Sequence, residues 1–171
     1  EMSAVRGIGL SGQQHGATLV ADDHSVLRPC MLWNDTRSHV QAAKMDSDPK
    51  FRDRIGNIVF PGFTAPKVQW VREHEHDVFE RTRMVLLPKD YLRLWLTGEA
   101  VSDMSDASGT GWLNVSKRAW EEELLAETGL SLDHMPRLVE GSEASGQLRD
   151  SLANSWGLPK GVVVAGGGGD N

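Results

Sequence analysis

The last ten residues of the chain join an apolar run to four glycines and an acid. Residues 162–165 read Val-Val-Val-Ala, residues 166–169 are glycines, and Asp170 and Asn171 follow. An uninterrupted run of β-branched residues predicts a short strand that is buried on both faces. Glycines lack a Cβ, so they allow positive φ and let a sugar or phosphate approach the backbone. The carboxylate beyond them is placed to accept a proton from a hydroxyl. A flexible linker is the alternative interpretation of such a run.

Size and charge restrict what the chain can bind. Its 171 residues suffice for one domain or most of one, and 39% hydrophobic with 25% charged residues is typical of a soluble globular protein. The net charge is −6 and no basic block occurs, so no nucleic-acid or membrane partner is expected. Cys30 is the only cysteine, which excludes an internal disulfide and a cysteine-based zinc site. A reducing, cytoplasmic compartment is the simplest expectation.

Turn and cap signals divide the chain into short strands and helices. Strands at both ends with helices between them favour a mixed α/β or α+β fold over a helical bundle. The helix over 89–97 is expected to bury Leu92, Trp95 and Leu96 and to stop at Gly98. The predicted strands are 4–10, 17–21, 26–33, 84–87 and 162–165, and the predicted helices are 34–45, one that starts at Thr64, 77–83, 89–97, 116–128 and 145–156.

A histidine with two neighbouring glutamines follows the first predicted strand. His15 lies between Gln14 and Gly16 in a loop over 11–16. Amide and imidazole groups donate and accept hydrogen bonds, so they suit a ligand with many hydroxyls. A turn whose polar residues face water is the open alternative. The remaining histidines indicate no metal site, because His74 and His76 do not share a helix face.

Two further segments contain residues for which the sequence allows two interpretations each. Trp33, Asn34 and Asp35 could form the wall of a sugar pocket, or a core tryptophan followed by a helix cap. Asp103 and Asp106 are three residues apart and could bind a divalent cation. Short polar residues before a helix favour capping over cation binding at this segment.

Taken together, these segments resemble the xylulokinase branch of the FGGY carbohydrate kinases. The segment at 62–74, GFTAPKVQWVREH, is similar to the first signature of that family at every constrained position. The resemblance extends in the family's order over essentially the whole chain. The other matching segments are SGQQHG at 11–16, LWND at 32–35, LPKDYLRL at 87–94, TGE at 97–99, SDMSDASGT at 102–110 and GSE at 141–143.

The resemblance implies an activity and assigns roles to four residues. It implies phosphorylation of D-xylulose at O5 by ATP, with Mg²⁺, to give D-xylulose 5-phosphate. Gln14 and His15 match the sugar-contacting dipeptide, which in many members is Met-His. Asp170 matches the catalytic aspartate, which also contacts the sugar, and Asn171 matches its sugar-binding neighbour. No metal ligand is assigned, since the family places its ATP and Mg²⁺ contacts mainly in other segments, and a homodimer is left open.

The implied fold is the two-lobed, ribonuclease H-like or actin-type ATPase fold of these kinases. Residues 1–171 correspond to the central and C-terminal part of the first, sugar-binding lobe, without the second lobe. The isolated chain is therefore expected to be inactive as a kinase. Two alternatives remain open: another FGGY kinase, acting on ribulose, gluconate or glycerol, and a non-catalytic sugar-binding module.

Overall fold

The computed structural model describes residues 2–170 and has a mixed α/β architecture. The expected sugar contact at Asn171 lies outside the described residues. The helices are α1 His39–Asp46, α2 Pro49–Ile55, α3 Thr64–His74, α4 His76–Arg81, α5 Pro88–Thr97, α6 Met104–Ala107, α7 Glu122–Glu127 and α8 Asp150–Trp156. The strands are β1 Gly7–Ile8, β2 Ser11–Gly12, β3 Thr18–Val20, β4 Met84–Leu86, β5 Val101–Asp103, β6 Leu113–Asn114, β7 Ala119–Trp120, β8 Arg137–Val139, β9 Ala144–Gln147, β10 Val163–Ala165 and β11 Gly168–Gly169.

The two ends of the described chain run side by side. β1 pairs in parallel with β10, and β9 completes this sheet on the other side of β10. β2 then pairs in parallel with β11, with Ser11 opposite Gly168 and Gly12 opposite Gly169. Since both strands run in the same direction, the residues that follow them emerge at the same edge. This register brings the loop after β2 next to Asp170.

The main apolar core joins the pair of strands β3 and β4 to helices α1, α2, α3 and α7. β3 pairs with β4, β5 with β8 and β6 with β7. The side chain of Trp112 is fully buried in this core, and its indole N–H donates to Thr128 Oγ1 at 3.1 Å. Burying a tryptophan requires such a partner for the N–H. The core residues packed together here include Leu19, Met31, Phe51, Val68, Val71, Val85, Leu124 and Leu125.

Several predicted element boundaries are wrong, each because a strand replaces part of a helix or a helix starts late. The first helix begins at His39 rather than 34, since the preceding residues form turns. The helix over 116–128 is helical only from Glu122, because Ala119–Trp120 pairs with β6. Likewise 144–147 forms β9, so α8 begins at Asp150. The predicted strand over 4–10 retains Gly7–Ile8.

The orientation of α5 also differs from the prediction. Leu92 and Trp95 are exposed, while Lys89, Asp90 and Arg93 are buried. The periodicity of apolar residues does not predict the buried face of α5, because the charged side chains form ion pairs and hydrogen bonds inside the protein. Trp95 instead packs beside Trp156 of α8, with ring centroids 6.2 Å apart. The predicted left-handed stop at Gly98 is confirmed by its φ of 88°.

Across residues 2–170, no helix has the length and apolar character needed to cross a bilayer.

Candidate active site

Residues from both ends of the chain and from the loop before α1 line one cavity. Gln14, His15, Trp33 and Asp170 surround a volume of about 320 Å³. The backbone N–H of Gln14 donates to Oδ1 of Asp170 at 3.3 Å. The parallel pairing of β2 with β11 explains this proximity, because Gln14 lies two residues after β2 and Asp170 directly follows β11. The two residues that the sequence singled out most strongly, His15 and Asp170, therefore share a cavity.

His15 has an unusual backbone conformation and a fixed ring. Its φ is 66°, in the left-handed region that residues other than glycine rarely adopt. The ring Nδ1 lies 2.8 Å from the carbonyl oxygen of Gly109, and the ring packs against Phe63 with centroids 4.9 Å apart. A Cβ on Gly109 would overlap the His15 ring, so this close approach requires glycine.

The surroundings of His15 favour its neutral form. A carbonyl oxygen only accepts hydrogen bonds, so the Nδ1 that faces Gly109 carries a proton. Burial lowers the pKa of the imidazole below its ordinary value, and Lys67 lowers it further, against the raising effects of the Gly109 hydrogen bond and Asp170. The neutral ring keeps a lone pair on Nε2, which can accept a hydrogen bond from a hydroxyl.

Trp33 belongs to the cavity wall and not to the core. Its side chain is 57% exposed and lines the cavity with His15. The alternative of a core tryptophan followed by a helix cap is wrong, since α1 starts at His39 after Ser38. Asp35 instead accepts hydrogen bonds from the backbone and side chain of Arg37.

Residues 166–169, which we call the glycine strand, pack closely against neighbouring groups and end in β11, so the linker interpretation is wrong. Gly167 has a φ of 76°, and a Cβ there would overlap the carbonyl oxygen of Leu10. A Cβ on Gly166 would overlap the carbonyl oxygen of Glu140 in the same way. The glycines were expected to admit a ligand, but at these two positions they admit the protein's own backbone. They bring Asp170 to the cavity by letting neighbouring strands approach closely.

Arg93 of α5 anchors the start of this glycine strand. Its guanidinium donates to the carbonyl oxygens of Ala165, at 2.6 Å, and Gly166. It also donates to the Ser145 hydroxyl of β9 and to the carbonyl oxygen of Val101. A planar guanidinium with five N–H groups can serve several acceptors at once, and here it joins α5 to the strands beside the cavity.

A group of buried charges continues from Arg93 into the protein. The ammonium of Lys89 lies 2.6 Å from Asp90, 2.8 Å from Asp103 and 3.4 Å from Asp106. Burial raises the pKa of Asp106 to about 7 in spite of Lys89, and raises that of Asp90 as well. All four side chains are fully buried. We call Lys89, Asp90, Arg93, Asp103 and Asp106 the buried charge cluster.

The cluster decides between the two interpretations of Asp103. Its carboxylate accepts from the backbone N–H groups of Ser105 and Asp106, so the predicted capping role is confirmed. Three carboxylates of the cluster offer oxygens within 4.8 Å of one another, as a cation site would. The Lys89 ammonium already lies among these oxygens, and the three acids therefore do not fit a resident Mg²⁺.

Comparison with known proteins settles the family. The sequence matches the FGGY family of carbohydrate kinases, N-terminal domain, over residues 1–171. The chain belongs to this family. Xylulose kinases from Klebsiella pneumoniae and Escherichia coli are 53% and 50% identical to it, over 98% and 96% of this chain and 35% and 34% of their own lengths. The crystal structure of a xylulose kinase from Brucella ovis matches with a TM-score of 0.98 and 64% identity, covering 99% of this chain and 35% of that one.

These findings confirm the resemblance to the xylulokinase branch and the expected fold class. The chain spans about a third of the length of the relatives that it matches. The segments LPKDYLRL and SDMSDASGT, which resemble those of FGGY kinases, together form the buried charge cluster. The sequence patterns considered above do not predict this cluster. Charged residues at positions 89, 90 and 93 of an otherwise apolar helix were the available signal.

Proposed function

We propose that the protein carrying this sequence is a xylulokinase, which transfers the γ-phosphoryl group of ATP to O5 of D-xylulose. The observation that carries the proposal is the shared cavity of His15 and Asp170. Its support is the 50–53% identity to xylulose kinases from two bacteria. In this proposal the chain forms the central and C-terminal part of the sugar-binding domain, and ATP and Mg²⁺ are bound mainly by other segments.

Asp170 is the proposed catalytic base. Its carboxylate would accept the proton of the O5 hydroxyl as that oxygen attacks the γ-phosphorus of ATP. In phosphoryl transfer most of the acceleration comes from positioning and from stabilising charge. The hydrogen bond from the Gln14 backbone to Oδ1 keeps the carboxylate facing the cavity, so Asp170 would also align the attacking oxygen.

His15, Gln14 and Trp33 are the proposed sugar-binding residues among those described, and Asn171 is the fourth by family resemblance. The neutral imidazole of His15 would accept a hydrogen bond from a sugar hydroxyl through Nε2. The Gln14 amide adds a donor and an acceptor, and the exposed indole of Trp33 offers an apolar face to the C–H groups of the sugar. This division separates binding from proton transfer, and the two can be tested separately.

Two variants of the full-length protein test these assignments. Asp170→Asn should lower kcat by roughly 10²–10⁴-fold while D-xylulose still binds in calorimetry. His15→Ala should weaken binding by about 1–3 kcal/mol, because a buried hydrogen bond is lost. His24→Ala, which changes an exposed histidine in a turn, should leave both quantities unchanged.

Specific results would contradict the proposal. Unchanged turnover in Asp170→Asn would remove that residue from its role. A preference of the wild-type protein for ribulose over xylulose would change the substrate, and binding without phosphorylation would favour a sugar-binding module. The isolated 171-residue chain is expected to show no turnover, so clear ATP-dependent phosphorylation by that chain would contradict the proposed division of the site.

A further inference from the structure

The family signature at 62–74 contains a lysine that the proposed function has not used. Lys67 lies in the first half of α3, and its side chain is fully buried. Its ammonium donates to the carbonyl oxygen of His15 at 2.9 Å. Within residues 2–170 this is the single hydrogen bond of the ammonium, and no carboxylate there lies within ion-pair distance of it. Lys67 therefore contacts the sugar site through the backbone of one residue.

A second donor converges on the same carbonyl. The hydroxyl of Thr64 donates to the His15 oxygen at 3.2 Å. The predicted helix start at Thr64 is confirmed, but α3 has no side-chain cap, and the Thr64 hydroxyl is directed to His15. Two side chains from the first turns of α3 thus hold one carbonyl group. This carbonyl belongs to the residue with the left-handed backbone.

The left-handed conformation of His15 needs such support. For a residue with a Cβ this conformation is strained, and it persists where the surroundings fix it. The two donors hold the carbonyl side of His15, and Gly109 holds its ring. If the donors were lost, the backbone could relax towards negative φ and move the ring away from Gly109.

The position of Lys67 is costly for the protein. Burial lowers the pKa of its ammonium to about 8, while Cys30 and Asp35 act in the opposite direction. A buried ammonium without an ion-pair partner loses hydration that one hydrogen bond does not fully replace. A methionine of similar shape would avoid this cost, so stability does not account for a lysine at this position.

We propose that Lys67 is a positioning residue of the sugar site, which together with Thr64 fixes the His15 backbone so that the imidazole stays at the cavity wall. The proposal rests on the proposed function for the part that concerns the sugar. Lys67 and Thr64 contact His15, and Lys67 is not proposed to contact the substrate itself.

The first test is sugar binding by Lys67→Met in the full-length protein. Affinity for D-xylulose should fall about tenfold or more, while kcat at saturating sugar falls much less, since Asp170 is untouched. Thr64→Val, which removes the donor but keeps the shape of the side chain, should weaken binding severalfold. The double variant should lose less than the product of the single effects, because both donors act on one carbonyl. Lys44→Met, a change at an exposed position, is the control and should bind as wild type.

The second test observes His15 without any sugar. The charged groups that face its ring are Lys67 from α3 and Asp170 after β11. In a carbon-labelled histidine NMR titration, with the resonance identified by its loss in His15→Gln, Lys67→Met should raise the pKa of His15. Thr64→Val should change it less, since no charge is removed. A general loosening that exposed the ring would also raise this pKa, but by a similar amount in both variants, because it acts through burial and not through the charge of Lys67.

The two tests separate the two proposals. Wild-type xylulose affinity together with an unshifted His15 titration in Lys67→Met would overturn the positioning role. Wild-type xylulose affinity and an unshifted His15 titration in Thr64→Val would overturn the claim that Thr64 helps Lys67 to hold the His15 carbonyl group. This result would count even if Lys67→Met failed to fold. If the wild-type protein did not bind xylulose but the titration shifted as expected, the proposed function would fail and the positioning of His15 by Lys67 would stand.

Discussion

The two halves of the cavity wall are held in place by different means. On one half, His15 carries a side chain at positive φ and is fixed by hydrogen bonds from Lys67 and Thr64. On the other half, four glycines precede Asp170, and two of them, Gly166 and Gly167, pack against neighbouring carbonyl groups. The first half tolerates a Cβ at a strained position, and the second leaves no room for one. Side-chain hydrogen bonds therefore hold the histidine half, whereas the aspartate half is held by close backbone packing in addition to the hydrogen bonds from Arg93.

The charges behind the two halves differ as well. A single buried cation, Lys67, stands behind His15 without an ion-pair partner in the described part of the chain. Behind the glycine strand, Arg93 belongs to a cluster in which two cations face three aspartates. A lone buried charge can be replaced by an apolar group at little cost, whereas removing one member of a cluster leaves others uncompensated. The aspartate half should therefore be the more sensitive to substitution.

The largest effect is expected for Arg93→Met in the full-length protein. The change leaves Asp90 without one of its cations and removes a donor from the carbonyl groups of Ala165 and Gly166, of which Ala165 keeps the hydrogen bond from the Ser145 hydroxyl. Breaking such a buried group costs about 3–5 kcal/mol in the free energy of unfolding. Denaturant unfolding measures this loss, and Arg149→Met is the control, because that exposed arginine donates one hydrogen bond to Leu94. A loss no larger than that of Lys67→Met would break the comparison between the halves.

The next effect concerns the glycine strand itself. Gly167→Ala should destabilise the protein by roughly 3 kcal/mol, because a Cβ overlaps Leu10 and the φ of 76° is strained for alanine. It should also lower kcat, since the strand carries Asp170. Gly161→Ala is a matched control: its φ is 74°, and no atom lies within 4 Å of the added Cβ. The control should lose about 1–2 kcal/mol from backbone strain alone. Equal losses at the two positions would show that the packing around Gly167 matters little.

Local sequence patterns singled out residues that share a cavity, whereas they predicted the surrounding elements less well. The loop with His15 and the glycine run with Asp170 were both recognisable from local composition. Their proximity was not, because it depends on the register of β2 against β11, which pairs residues 157 apart in the chain. The family resemblance supplied the connection that local patterns lacked.

The main errors share one physical cause. The helix over 89–97 was oriented by its apolar residues, on the assumption that charged side chains face water. Lys89 and Arg93 instead face inward, where their partners come from β5, α6 and the glycine strand. Those partners lie outside the helix, so the periodicity of the helix itself contains no trace of them. The strand β9 was missed for a similar reason, since its pairing partner β10 lies near the end of the chain.

The smallest effect is a change in the pH dependence of protein stability. It tests the difference in charge between the buried charge cluster and Lys67. The pKa of Asp106 in the folded protein is about 7, above the ordinary value of 3.8, mainly because the carboxyl is buried. Between these values the folded state holds a proton that the unfolded state has released. The resulting stability is fully present below about pH 4 and is lost as the pH rises through 7.

Asp106→Asn cannot ionise, so this part of the pH dependence should disappear. Relative to wild type, the free energy of unfolding of Asp106→Asn should improve by about 2 kcal/mol between pH 5.5 and 7.5. Chemical denaturation at several pH values measures the difference, and exposed Asp53→Asn serves as the control that should follow wild type. A constant difference across this range would mean that Asp106 is already ionised at pH 5.5. Lys89 and Arg93 would then stabilise all three ionised acids, and the buried charge cluster would carry its excess negative charge without a pH-dependent loss of stability over this range.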